Sequence, residues 1–126
     1  LAECGGMMYL TSVLITGTDT HMEYNMAGVL PVKVSAFKGD MHLSLGYRSF
    51  ELRGMKIRGH EFHYSQVIES DEELISAAQV YNAKGQPVNT PVYHYKNLIA
   101  SYTHLYWGET GFMGLFEPAP GDPVLF

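Results

Sequence analysis

A chain of 126 residues has room for one domain with its own core, and with 46% apolar and 17% charged residues it is not a disordered segment. Its net charge is −5 and its eight Lys and Arg are scattered, which argues against nucleic acid or an anionic membrane surface as the main partner. No run approaches the ~20 apolar residues of a membrane-spanning helix, nothing reads as a signal peptide, and the single cysteine, Cys4, excludes an internal disulfide and fits a reducing cytoplasm.

In chain order, "AECGG" comes first, a thiol between a carboxylate and a Gly-Gly pair. Small residues after a nucleophile let the backbone turn tightly and let a substrate carbonyl approach the adjacent N–H groups. Gly5 is thereby a candidate for one half of an oxyanion hole, its N–H sitting at a helix N-terminus. The bland alternative is a buried, inert cysteine. Only Leu1, Ala2 and Glu3 are left to form the strand before this elbow, against a usual 5–6 residues, and the chain closes on the Pro-rich "EPAPGDPVLF". The chain is therefore expected to be a piece of a longer protein.

Residues 5–15 read as a short helix, weakened by Thr11, Val13 and Ile15. Residues 16–26 read as a polar loop, and 27–37 as an edge or interrupted strand broken by Pro31. Residues 41–52 alternate, with Met41, Leu43, Leu45 and Tyr47 on one face and His42, Ser44 and Gly46 on the other. After a turn at Arg53-Gly54, residues 56–69 continue as strand, and "DEEL" (71–74) is a solvated acidic turn. Residues 74–107 predict two or three strands, with "NAKGQP" as a hairpin turn. There is no internal repeat. The fold class is α/β, strand-rich, with one or two short helices.

A catalytic thiol needs a base, usually a histidine near in space and often far in sequence. His21 lies in a polar loop, and His42 and His94 sit on alternating strands where a solvated role is the ordinary one. "GHEFHYS" (59–65) invites a zinc reading through His60 and His63, yet alternation on a strand sends those two side chains to opposite faces. No metal site is expected. His104 ends the apolar strand "LIASYTHLYW" and is the best base on position alone.

Together "AECGGMMYL", "LGYR" (45–48), "GHEFHYS" and "NLIASYTHLYW" (97–107) resemble, in order and spacing, the glutaminase domain of the cobyrinic acid a,c-diamide synthase family. The resemblance covers about positions 2–107 as the C-terminal part of a glutamine amidotransferase domain; the tail 108–126 matches poorly. It implies a partial class I, triad-type glutaminase-like three-layer domain lacking its first strands. It further implies a cytoplasmic enzyme in which Cys4 is the nucleophile, forming a thioester with glutamine, and His104 the base. Many glutaminases of the wider class carry a glutamate two residues beyond the histidine; Tyr106 stands there, so the resemblance points to a Cys–His dyad. "GHEFHYS", and with it His60, Glu61, Phe62 and His63, would line the glutamine pocket. Arg48 would meet the glutamine carboxylate, or else form an ordinary surface salt bridge. Glu3, pointing away from Cys4 on a strand, is left out of the chemistry.

By the same resemblance ammonia amidates two carboxylates of a corrin-ring precursor, which ATP and Mg2+ activate in a separate N-terminal domain. No cofactor belongs to these residues, which contain no G-x-x-x-x-G-K-[ST] phosphate loop. The piece by itself is expected to be inactive. An exposed sheet edge would make a homodimer possible. The alternatives are a related diamide synthase acting on a nickel tetrapyrrole, and a glutaminase-like binding module without turnover.

Overall fold

The computed structural model describes residues 1–108 and 111–117. A two-residue strand β1 (Ala2–Glu3) turns at Cys4 into a short helix α1 (Gly5–Leu10). The helix ends where strand β2 (Thr11–Thr16) begins, so the expected helix over 5–15 is half helix and half strand. Side chains branched at Cβ crowd a helical turn and fit a pleated surface instead. The segment read as a loop over 16–26 contains strand β3 (Met22–Asn25), whose four residues are all exposed. A strand wet on both faces carries no alternation to reveal it.

Strand β4 (Leu30–Ser35) lies between β2 and a later strand instead of at an edge. Pro31 falls between Leu30 and Lys33, where the register with β2 shifts, so its missing N–H does not interrupt a regular ladder. Strands β5 (Ser44–Leu52) and β6 (Met55–His63) form a long antiparallel hairpin around Arg53-Gly54. The apolar face expected for 41–52 exists at Leu45 and Tyr47 but faces outward, at 53% and 63% exposure; the buried residues of β5 are Phe50 and Leu52. The expected strand over 56–69 is two. The chain breaks at Tyr64-Ser65, and β7 (Gln66–Ser70) joins β4 in a different sheet.

Over 74–107 there are five short strands where two or three were expected. Strands β8 (Val80–Tyr81) and β9 (Pro87–Val88) form the predicted "NAKGQP" hairpin, in which the Asn82 side chain accepts the N–H groups of Lys84 and Gln86, each at 3.0 Å. Strands β10 (Val92–Tyr95), β11 (Leu98–Ser101) and β12 (His104–Leu105) follow. The sheet orders are β1-β11-β10, β12-β6-β5-β8-β9 and β3-β2-β4-β7, with β1/β11 and β2/β4 parallel. The fold is a strand-rich α/β arrangement with a single α-helix among the described residues. No helix among them is long and apolar enough to cross a membrane.

The small central sheet is a wall between two cores. Val92 and Ile99 pack with Phe50, Leu52, Ile57, Val80, Leu105 and Leu115 on one side. Their strand neighbours Tyr93 and Ala100 pack with Met7, Leu30, Val32, Val34 and Tyr102 on the other. The alternation of a strand thus feeds both cores at once. The tail set apart from Gly108 onward is described in part: a 3-10 turn, Phe112–Leu115, buries Leu115, and Arg53 donates to the carbonyls of Leu115 at 3.3 Å and Glu117 at 2.7 Å. Residues 109–110 and 118–126 lie outside the described residues.

Candidate active site

Cys4 occupies the junction of β1 and α1 at φ 46° and ψ −108°, a left-handed backbone that costs a non-glycine residue about 1–3 kcal/mol. Both sides of the junction are pinned. The Cys4 N–H donates to Ser101 O at 2.8 Å, and the Cys4 carbonyl accepts the Met8 N–H at 3.0 Å. Met7, fully buried, anchors the helix from below. The sharp turn is therefore made by Cys4 itself and not by the glycine after it. A Cβ at Gly5 would meet nothing within 4 Å, so the fold does not require glycine there; it leaves open space beside the thiol. Burial pushes the Cys4 thiol up, the Gly5 N–H pulls it down, and the negative charge of Glu61 adds to the rise. The net rise keeps the resting thiol protonated near neutral pH.

Ser101, the last residue of β11 and paired with both Glu3 and Val92, directs the chain to His104. Its Oγ donates to Pro91 O at 2.9 Å and accepts the Thr103 N–H at 3.3 Å, making a tight corner between β11 and β12. Thr103 is fully buried, and His104 then pairs with His60 and Leu105 with Gly59 on β6. That pairing is close. A Cβ at Gly59 would lie 2.3 Å from His104 O and 2.6 Å from Thr103 Cγ2. The backbone of Cys4 is hydrogen-bonded to Ser101, three residues before His104, and three residues of chain reach at most about 10 Å beyond Ser101. Among the described residues no hydrogen bond joins the thiol to the imidazole. The contact of His104, whose side chain is 53% exposed, is with Glu3: Nδ1 lies 3.9 Å from Oε2, while Oε1 accepts the Leu105 N–H at 3.3 Å. Sequence reasoning set Glu3 aside because it points away from Cys4. The signal that could have kept it is strand pairing, since Glu3 sits opposite Ser101 and faces the chain leading to His104.

The residues of "GHEFHYS" separate to two sides of β6. Glu61 is buried and gathers three neighbours: Arg48 Nη2 at 3.2 Å, His63 Nε2 at 3.5 Å and a short hydrogen bond from Thr90 Oγ1. Burial pushes the Glu61 carboxyl up, but hydrogen bonds from His63 and Thr90 and the charges of His63 and Arg48 outweigh it, holding it below the usual range. Arg48 is thus half of a buried ion pair and not of a surface one; its Nη1 donates to Tyr47 O, and its Nε has no hydrogen-bond partner among the described residues. Gly46, at φ 145°, leaves the space in which that guanidinium lies, because a Cβ there would come within 2.9 Å of Nη1. His63 stacks on Tyr102 at 3.5 Å and donates through Nδ1 to Ser65 O at 2.7 Å. Arg48, Glu61, His63 and Tyr102 line a cleft of about 700 Å3. Tyr102 also belongs to the buried cluster against which Cys4 packs, while Cys4 itself is not among the residues lining the cleft. His60 instead lies against Tyr47, and Phe62 is half exposed against Tyr64; neither lines this cleft. Among the described residues no three His, Cys, Asp or Glu side chains gather as a metal site.

Comparison with known sequences adds a family to this geometry. The profile of the CobB/CobQ-like glutamine amidotransferase domain matches residues 1–112. The chain is 38% identical over 119 residues to the cobyrinate a,c-diamide synthase of Priestia megaterium, covering 87% of this chain and 24% of that protein. It is 34% identical over 114 residues to the hydrogenobyrinate a,c-diamide synthase of Rhodobacter capsulatus, with coverages of 84% and 25%. It is 32% identical over 105 residues to the cobyrinate a,c-diamide synthase of Methanobrevibacter smithii, covering 82% and 23%. The chain spans about a quarter of the length of these curated relatives.

Proposed function

The chain belongs to the CobB/CobQ-like glutamine amidotransferase domain family, and from that premise we propose that it hydrolyses glutamine at Cys4 and supplies the ammonia to an a,c-diamide synthase. His104 takes the thiol proton, and Sγ attacks the side-chain amide carbon of glutamine. The Gly5 N–H donates to the oxyanion that forms, in the space its missing side chain leaves open. The imidazolium returns its proton to the departing nitrogen, ammonia leaves, and a thioester remains. Water, deprotonated by His104, then releases glutamate. Glutamine and water are consumed; glutamate and ammonia are produced.

The cleft holding Arg48, Glu61 and His63 is the proposed glutamine pocket, with the Arg48 Nε–H, buried and without a hydrogen-bond partner among the described residues, as the donor for a carboxylate. The names of the relatives support a corrin acceptor, cobyrinate or hydrogenobyrinate. Activation of its carboxylates by ATP and Mg2+ is assigned to parts of such proteins that this chain does not span.

The observation that carries the proposal is the strained Cys4 elbow with open space at Gly5. The test is labelling by a glutamine-analogue chloroketone, followed by mass spectrometry. Adduct at Cys4, suppressed by glutamine and absent in Cys4→Ser, supports it. Labelling at the same rate with and without glutamine would favour a binding module without a glutamine site beside the thiol.

A further inference from the structure

Many glutaminases of the wider class carry a glutamate two residues beyond the histidine, and that position is Tyr106 here. Another carboxylate reaches the same ring from elsewhere in the fold. Glu3 Oε2 lies 3.9 Å from His104 Nδ1, on a side chain only 21% exposed, and its other oxygen is fixed by the Leu105 N–H at 3.3 Å. The parallel pairing of β1 with β11, Glu3 opposite Ser101, sets this up from the backbone. Around the ring, His60 is its partner on β6, and Leu105 and Tyr106 follow it in the chain. Among the described residues Glu3 is the one carboxylate within 4.0 Å of the imidazole.

We infer that Glu3 is the positioning residue of His104, so that nucleophile and orienting carboxylate are consecutive residues and the histidine comes from a strand about 100 positions later. The inference rests on the reading of Cys4 and His104 as nucleophile and base. The carboxylate favours a proton on Nδ1, which leaves the lone pair on Nε2, the nitrogen free to take the thiol proton. The strained turn at Cys4 serves the same end: it lets residue 3 face the histidine strand while residue 4 starts a helix. A 3.9 Å ion pair is loose, as catalytic contacts without substrate commonly are, and closes by less than one ångström or so to reach hydrogen-bond length.

The decisive variant is Glu3→Gln. Its amide oxygen still accepts the Leu105 N–H, so a purely structural role survives, while the amide NH2 now faces Nδ1 and favours the other tautomer. Two readouts are taken. The first is the long-range 1H–15N spectrum of His104 in the chain itself, above the imidazole titration. A dominant Nδ1–H tautomer in the parent that moves to Nε2–H in Glu3→Gln is expected, and an unchanged tautomer overturns the inference. The second is glutamate release, measured in the longest polypeptide that carries this chain. Glu3→Gln is expected to lower kcat by about 10–100-fold with KM within about twofold, less than the ~10⁴ lost with a fully buried orienting carboxylate. An unchanged kcat overturns the inference while leaving Cys4 and His104 in place. Cys4→Ser and His104→Ala controls keep the two readings apart: if these retain turnover, the glutaminase assignment itself fails.

Discussion

At Cys4 two influences oppose each other. The Gly5 N–H favours a thiolate, while burial and the Glu61 charge disfavour it, and the net effect is upward from 9.0. Without substrate, the thiolate fraction is therefore small at neutral pH and climbs with pH through and beyond 9.0. Alkylation of Cys4 by iodoacetamide, a neutral reagent that reads thiolate, is expected to keep accelerating across that range. A plateau below pH 8 would mean a preformed thiolate–imidazolium pair, as in cysteine proteases, and not a thiol that needs a base in each cycle. Gly5 offers a second residue-level test. Since a Cβ there meets no atom within 4 Å, Gly5→Ala should fold with unchanged stability to within about 0.5 kcal/mol. It should nonetheless lose labelling by the chloroketone, because the methyl occupies the approach to the oxyanion donor. Equal labelling of both proteins would place the substrate carbonyl elsewhere.

Among the elements, β12 is only two residues long and yet fixes His104. Its hold depends on Gly59, where any side chain meets backbone at 2.3 Å. Gly59→Ala must push β12 off β6, at a cost of about 1–3 kcal/mol, and move His104 with it. Denaturant midpoints should fall and glutamate release should drop; a stable, fully active Gly59→Ala would show that β12 does not position the base. How much of this was legible in the sequence varies with the kind of force involved. The elbow at Cys4 was, because thiol and small residues announce their own chemistry. The hairpin at 82–86 was, because Asn and Gly encode it locally. The switch from β6 to β7 at Tyr64-Ser65 was not, because both halves are strand and only tertiary pairing separates them. Nor was the division of "GHEFHYS": alternation predicts that His60 and His63 part company, but which face becomes the cleft depends on Arg48 and Thr90, contributed by β5 and by the loop before β10. Glu3 was lost for the same reason, its partner lying about a hundred residues away.

For the molecule as a whole, Tyr102 joins the core against which Cys4 packs to the cleft. Burial pushes its phenol up to about 12 against a smaller opposite pull from the Ser65 hydroxyl at 3.0 Å. Because the unfolded chain ionises near 10.0 and the folded one near 12, the folded state holds the proton longer. The contribution is complete below pH 10 and is lost as pH rises from there through about 12. Denaturant midpoints should fall over that window, and less steeply in Tyr102→Phe; parallel slopes in the two proteins would assign the alkaline loss to other groups.

The parallel pairing of β1 with β11 joins Ala2 to Ala100 and Glu3 to Ser101, contacts among the most distant in sequence that the molecule makes. Such pairings form late, because the entropy of closing a long loop is spent before any contact rewards it. On a ribosome, Cys4 emerges some hundred residues before the strand that receives its N–H and the histidine beside Glu3. Through that interval the nascent thiol has neither its strained turn nor the neighbours that β11 and β12 bring, and is an ordinary cysteine. The order of synthesis thus delays the arrangement around Cys4 until β11 and β12 have been made.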